Sequence, residues 1–182
     1  MLAQRFPTSY DGYLSGAPAL YLNEFLVTTL RAQVRMGELG YVPPPCELRE
    51  FTRRAVATCD ALDGVEDGLV SEPELCFDTF DPRTLAGDEF ECAELGKTYK
   101  LTAKGADIAQ TAWEGWRETD GQGREQRIWA GLGHEAALVG TFQVANTKCD
   151  YATGTPVCEA DPFIISRQWV QYFLYKSHSQ TL

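Results

Sequence analysis

Cys59-Asp60-Ala61-Leu62-Asp63-Gly64-Val65-Glu66-Asp67-Gly68-Leu69-Val70 is the stretch from which this chain is best read. Three carboxylates, from Asp60, Asp63 and Asp67, fall within eight residues, and Gly64 and Gly68 directly follow two of them. Glycine accepts positive φ, so the backbone can curl and aim its carbonyls at a centre. Calcium takes roughly six to eight oxygens drawn from carboxylates, carbonyls and water. The side chains of Asp60, Asp63 and Asp67 with the main-chain carbonyls of Val65 and Leu69 supply such a set. The tighter octahedron of magnesium fits it less well. The residue order is not that of an EF-hand, and Glu66 falls outside the alternation and is expected in solvent. The competing reading is a solvated acidic turn, because Asp-Gly pairs are common in ordinary turns. Closure of the bend by Cys59 and Cys76 favours the ion, since three like charges held together repel without a cation.

Working outward, the six cysteines include two local pairs, Cys59 with Cys76 around the acidic bend and Cys149 with Cys158 around a short polar turn. An even count in such an arrangement reads as disulfides, an oxidising compartment and a secreted protein. Cys-x-x-Cys is absent from the sequence, so zinc is not expected. Met1 is not followed by the basic region and apolar run of a signal peptide. Leu2 to Arg5 reads as a helix already under way, so the start is expected to be a fragment boundary or a truncated gene model. Acidic residues outnumber basic ones by 26 to 16, a net charge of −10 that argues against nucleic acid and anionic membranes as partners. The apolar runs are far shorter than a bilayer span.

Tyr10 to Ala19 reads as a turn followed by a short strand that stops at Pro18. Leu22, Phe25, Leu26, Leu30 and Val34 recur at helical spacing, and that helix is expected to end at Gly37. Pro43, Pro44 and Pro45 mark a loop. A second helix is expected over residues 47–58, with Leu48, Phe51 and Ala55 inward. Residues 77–100 show little periodicity and read as loop, and residues 115–140 read as irregular. Thr102 caps a third helix through Ile108, Ala112 and Trp116. Asp161-Pro162 opens a last helix that groups Phe163, Val170, Phe173 and Leu174. One strand cannot make a sheet, so further strands must lie either within the loops or outside this chain.

Several stretches, in order, resemble the tannase and feruloyl esterase family. Gln4-Arg5-Phe6-Pro7, Tyr10-Asp11-Gly12 and Ser15-Gly16-Ala17-Pro18-Ala19 look like the segment just after that family's nucleophile. Cys59 to Leu69 looks like its calcium loop, and Glu72-Pro73, Cys76-Phe77 and Asp81-Pro82 continue the pattern. The resemblance implies an α/β fold: a fragment of an α/β-hydrolase. Residues 1–20 would be the end of the nucleophile helix and the next strand, and residues 21–182 the inserted lid domain, with its calcium loop at 59–76. It implies a carboxylic ester hydrolase acting on phenolic (gallate or hydroxycinnamate) esters through a serine acyl-enzyme. It also implies structural calcium held by the side chains of Asp60, Asp63 and Asp67 and the main chains of Val65 and Leu69. The Gly-Cys-Ser elbow that carries the nucleophile has no match in these residues, and Ser15 lies on the following strand, so the fragment is expected to be inactive alone. The family pattern implies Cys59 paired with Cys76. With Cys149 and Cys158 paired across their turn, Cys46 and Cys92 remain as the third bridge. The alternative class is a non-catalytic, calcium-stabilised secreted binding module.

His134 in Gly133-His134-Glu135 lacks the second histidine of a zinc-protease helix, since Leu138 holds that place. His178 is expected in solvent. Trp113, Trp116, Trp129 and Phe142 are candidates for an aromatic wall against a phenolic substrate, although each taken singly is better read as core. Nothing in the sequence fixes which ester is cut or an oligomeric state.

Overall fold

The computed structural model describes residues 2–16 and 20–176. In chain order its helices and strands are α1 (Leu2–Arg5), α2 (Leu22–Thr28), α3 (Arg31–Leu39), α4 (Pro45–Cys59), α5 (Pro73–Thr79), β1 (Glu89–Cys92), β2 (Lys97–Lys100), α6 (Ala103–Glu114), β3 (Trp116–Thr119), β4 (Glu125–Trp129), β5 (Thr147–Asp150), β6 (Val157–Ala160) and α7 (Ile164–Trp169). Short 3-10 turns occupy Asp60–Asp63 and Pro82–Leu85, and a π-helical turn, Val170–Leu174, extends α7.

The centre of the fold is α4. Pro44 is extended and Pro45 takes the first helical position, where its missing N–H is no loss. Pro45 therefore belongs to the helix and not to the loop expected for all three prolines. Leu48, Phe51, Ala55 and Cys59 form one buried stripe. It packs near the buried face of α6, made by Ile108, Ala109, Ala112 and Trp113, with Met36 of α3, Phe80, Leu101 and Leu138 completing the core. Disulfides fasten α4 at both ends, Cys46–Cys92 to β1 and Cys59–Cys76 to α5. A third, Cys149–Cys158, joins opposed residues of β5 and β6.

Among the described residues, three antiparallel hairpins, β1–β2, β3–β4 and β5–β6, stand as separate two-stranded sheets. Two of them lie where loop and irregular chain were expected. Their strands are only four or five residues long; β1 buries Phe90 and Cys92 in alternation with exposed Glu89 and Glu91, but over too few residues to stand out, and β2, β3 and β4 are largely exposed with almost no apolar alternation. The strand expected over residues 10–19 is not formed in the described part, 10–16; Ala17, Pro18 and Ala19 lie outside the described residues. No described strand pairs with this stretch, and an unpaired strand is not stable.

The first long helix is split in two. Thr29 turns its hydroxyl to Leu26 O at 2.9 Å and to the buried Ser166 hydroxyl at 2.6 Å, which ties the end of α2 to α7. α3 then runs past Gly37 and stops at Gly40, whose φ of 56° is left-handed. Thr102 caps α6 as expected, its hydroxyl accepting from Gly105 N at 2.9 Å. α6 ends at Gly115, so Trp116 belongs to β3 and not to the helix. Here the chain doubles back against itself. A Cβ on Gly131 would stand 1.6 Å from the Trp113 carbonyl oxygen, so only glycine lets the two backbones approach. The last helix begins at Ile164, later than Asp161-Pro162. Asp161 does not cap it, because its carboxylate accepts from Asn146 Nδ2 at 2.7 Å and Lys148 Nζ at 3.1 Å. Phe163 packs on Phe142, while Trp169 stacks on Phe173, so the expected four-residue cluster is divided.

Candidate functional site

The acidic bend hangs from the C-terminal end of α4. Gly64 and Gly68 have φ of 91° and 83°, the two kinks that turn the chain back on itself. Each aspartate commits one oxygen to the loop's own backbone. Asp63 Oδ1 accepts from Val65 N at 2.8 Å, and Asp67 Oδ1 accepts from Leu69 N at 3.1 Å. Asp60 Oδ1 reaches across the bend to Asp67 N at 3.0 Å and Gly68 N at 2.9 Å. These bonds hold the Asp63 carboxyl below its usual range, the Val65 amide first and the Ser71 side chain second. Val65 and Leu69 are exposed.

As a donor set, three carboxylates and the nearby carbonyls are all hard oxygen, the chemistry that calcium prefers. The backbone amides described above engage only the Oδ1 oxygen of each aspartate. Among the described residues, one set of three metal-capable side chains has its ligand atoms within 4.8 Å of one another: Cys46, Cys92 and Glu94. Both of those sulfurs are spent on a disulfide. The three aspartates are brought onto one bend but are not drawn into such a set.

A second carboxylate, which the sequence does not single out, lies at the other end of α4. Glu47 is fully buried. Its Oε1 accepts from both Thr102 N and Thr102 Oγ1 at 2.7 Å, and its Oε2 accepts from the Tyr41 hydroxyl at 2.5 Å. Burial raises its pKa against the pull of those donors, and burial beside Glu47 pushes the Tyr41 phenol up as well. Gly105 leaves the room that the carboxylate needs: a Cβ there would lie 2.4 Å from Glu47 Oε1. The group has no access to solvent and serves as a brace between α4 and the start of α6. A glutamate in a helix's first turn looks solvated in sequence, so no signal marked it.

His134 is also fully buried, wedged among Phe77, Phe80 and Trp113 with ring centroids 4.4, 5.9 and 4.7 Å away. Neither ring nitrogen has a hydrogen-bond partner, and burial lowers its pKa, with nearby Glu135 opposing weakly. A Ser-His-acid relay needs both nitrogens engaged, so His134 is a core residue. His178 lies outside the described residues.

The aromatic candidates separate. Trp113 is core, and Trp116 borders a groove beside Val34 and Leu174. Trp129 and Phe142 face a different cleft of ≈ 170 Å³. Phe25 sits 6.0 Å from Trp129 on one wall, and Phe163 sits 6.0 Å from Phe142 on the other. Sequence reading missed Phe25 and Phe163 as cleft residues, because helical periodicity shows a face and not what lies opposite it.

A helical body stapled by three disulfides, with exposed hairpins, an acidic bend and an aromatic cleft, defines a disulfide-braced module of extracellular type. A family model described as tannase and feruloyl esterase matches residues 1–175. The chain belongs to the tannase and feruloyl esterase family. It is 35% identical over 174 residues to a probable feruloyl esterase of Arthroderma benhamiae, covering 96% of this chain and 30% of that protein. It is 38% identical over 168 residues to a tannase of Aspergillus oryzae, covering 82% of this chain and 28% of that protein. Among solved structures, tannin acyl hydrolase from Aspergillus niger matches with a TM-score of 0.77 and 31% identity, covering 100% of this chain and 31% of that one. The chain thus spans under a third of the length of these relatives.

Proposed function

We propose that these residues are part of a secreted carboxylic ester hydrolase that cleaves phenolic esters. The observation that carries this reading is the likeness along the whole chain to tannin acyl hydrolase, in sequence as well as in fold. The names of the relatives, feruloyl esterase and tannase, point to hydroxycinnamate and gallate esters. Secretion is supported by three disulfides and no free cysteine.

In this reading the segment is the inserted lid of an α/β-hydrolase. It covers the substrate and holds a structural calcium ion at Asp60, Asp63 and Asp67, with the carbonyls of Val65 and Leu69. When bound, the ion neutralises the crowded carboxylates and fixes the bend; it takes no part in ester cleavage. What supports the ion here is an all-oxygen donor set on a bend kinked at Gly64 and Gly68. A serine nucleophile, its histidine and its acid are supplied by residues beyond these 182. Chemistry there forms an acyl-enzyme, which water then hydrolyses. The chain's own contribution is positioning and exclusion of water.

The test compares two proteins, the 182-residue chain alone and the complete polypeptide that carries it. With methyl ferulate and methyl gallate, the complete polypeptide should release free acid and lose activity to a serine-directed phosphonate. The isolated chain should not exceed the uncatalysed rate. Turnover by the isolated chain, or a complete polypeptide inert toward every phenolic ester, would overturn the proposal.

A further inference from the structure

We infer that the Cys149–Cys158 bridge is a redox latch: a dithiol reductant opens it ahead of the other two bridges and frees the hairpin tip, residues 151–156, from β1–β2 while the helical body stays folded. Access separates the three bridges. Cys46, Cys59, Cys76 and Cys92 lie in the core, at most 5% exposed, whereas Cys149 and Cys158 are half-buried on a hairpin with no further strand beside it among the described residues. Exchange needs a thiolate to reach one sulfur, so the core shields the first two bridges and not the third. The closed loops differ as well. Cys149 and Cys158 are 9 residues apart, against 17 and 46 for the other pairs, so their bridge removes the least chain entropy. The reductant's first thiolate forms a mixed disulfide with one cysteine and releases the other as a thiolate. Its second thiol then displaces the first cysteine and leaves as a cyclic disulfide, so two electrons and two protons pass to the hairpin.

The contacts at the two ends of the hairpin decide what moves. Its base is tied to the body without the bridge. The Thr147 hydroxyl donates to Pro43 O at 2.9 Å, Gln33 Nε2 donates to Asn146 O at 2.9 Å, and Asp161 N donates to the same Asn146 oxygen at 3.0 Å. The tip is held more lightly. Lys97 Nζ of β2 donates to Gly154 O at 2.5 Å, and Thr155 and Pro156 stand over an open cleft that Tyr99 and Lys100 line from the other side. The tip also carries a cost in the closed form. The Tyr151 hydroxyl oxygen is buried without a hydrogen-bond partner, and opening gives it water. A two-stranded hairpin is marginal without further support, so the bridge is what keeps the tip down.

The oxidised 182-residue chain is titrated with dithiothreitol, alkylated with iodoacetamide and mapped by peptide mass spectrometry, with amide hydrogen exchange measured at each step. Cys149 and Cys158 should be labelled at a dithiothreitol concentration about 10-fold or more below that which labels the other four cysteines. At that step exchange should quicken over residues 150–157 and 97–100 and stay unchanged in α4 and α6. Replacing both cysteines, Cys149→Ser with Cys158→Ser, should reproduce that exchange pattern with no reductant present. Another bridge that opens first or in step, faster exchange that spreads into α4 and α6, or a tip that exchanges as slowly after labelling as before would refute the inference. So would a double variant whose tip exchanges like that of the oxidised chain.

Discussion

Replacing Glu47 tests the brace between α4 and α6. Its carboxylate is buried and accepts three hydrogen bonds, two from Thr102 and one from Tyr41. In Glu47→Ala the Thr102 hydroxyl can rotate toward other partners, but the Thr102 amide and Tyr41 hydroxyl are stranded. At about 1–3 kcal/mol for each buried donor left without an acceptor, the loss is on the order of 3 kcal/mol. For a chain of this size that lowers the melting temperature by roughly 6–12 °C. Glu47→Gln keeps an oxygen for Thr102 and offers its amide to the Tyr41 oxygen, so its cost should be about 1 kcal/mol or less. The pH dependence separates the two effects. Burial raises the folded pKa of Glu47 above its unfolded value. Its contribution is therefore complete below the unfolded pKa and is lost as pH rises through the folded one. Glu47→Gln does not titrate, so it should gain on the wild type as pH rises from about 4 toward neutrality. Urea unfolding of the oxidised protein at several pH values measures all three quantities. If Glu47→Gln destabilises as much as Glu47→Ala, or if Glu47→Ala costs under about 1 kcal/mol, the brace is not what holds these helices.

Two further perturbations probe the same core. Gly131→Ala places a Cβ against the Trp113 carbonyl and should cost about 3 kcal/mol or block folding; Gly121→Ala, with open space around it, is the matched control and should melt within a degree or two of wild type. His134 is buried with a lowered pKa, so the stability it contributes is present above the unfolded value of about 6.5 and is lost as pH falls through the folded one. His134→Phe should remove that part of the acid sensitivity, seen as a flatter plot of unfolding free energy below about pH 6.

The elements that were legible in the sequence are those with a strong local signature. Leu48, Phe51 and Ala55 marked α4, and Thr102 marked the start of α6, because each has a period or a cap that needs no distant partner. The hairpins were hidden, since strands such as Lys97–Lys100 and Trp116–Thr119 bury almost nothing and exist through their partners. The strand expected near Leu14 failed for the complementary reason: its composition suits a strand, but no described strand pairs with it. Of the site, the aspartates and glycines of the bend were readable from spacing alone. The cleft was only half visible, through Trp129 and Phe142. Phe25 and Phe163 became meaningful once α2, β4 and the chain before α7 were brought side by side.

The role assigned to Asp60, Asp63 and Asp67 comes down to whether the folded bend takes up calcium. Thermal melting of the oxidised chain in excess chelator and in excess calcium answers it. At a hundredfold excess over the dissociation constant, a ligand bound by the folded state alone adds about 2.7 kcal/mol. That corresponds to a rise of roughly 5–10 °C, and Asp63→Asn should remove most of it. Identical melting curves in chelator and calcium, with no metal retained by the folded protein, would contradict the account.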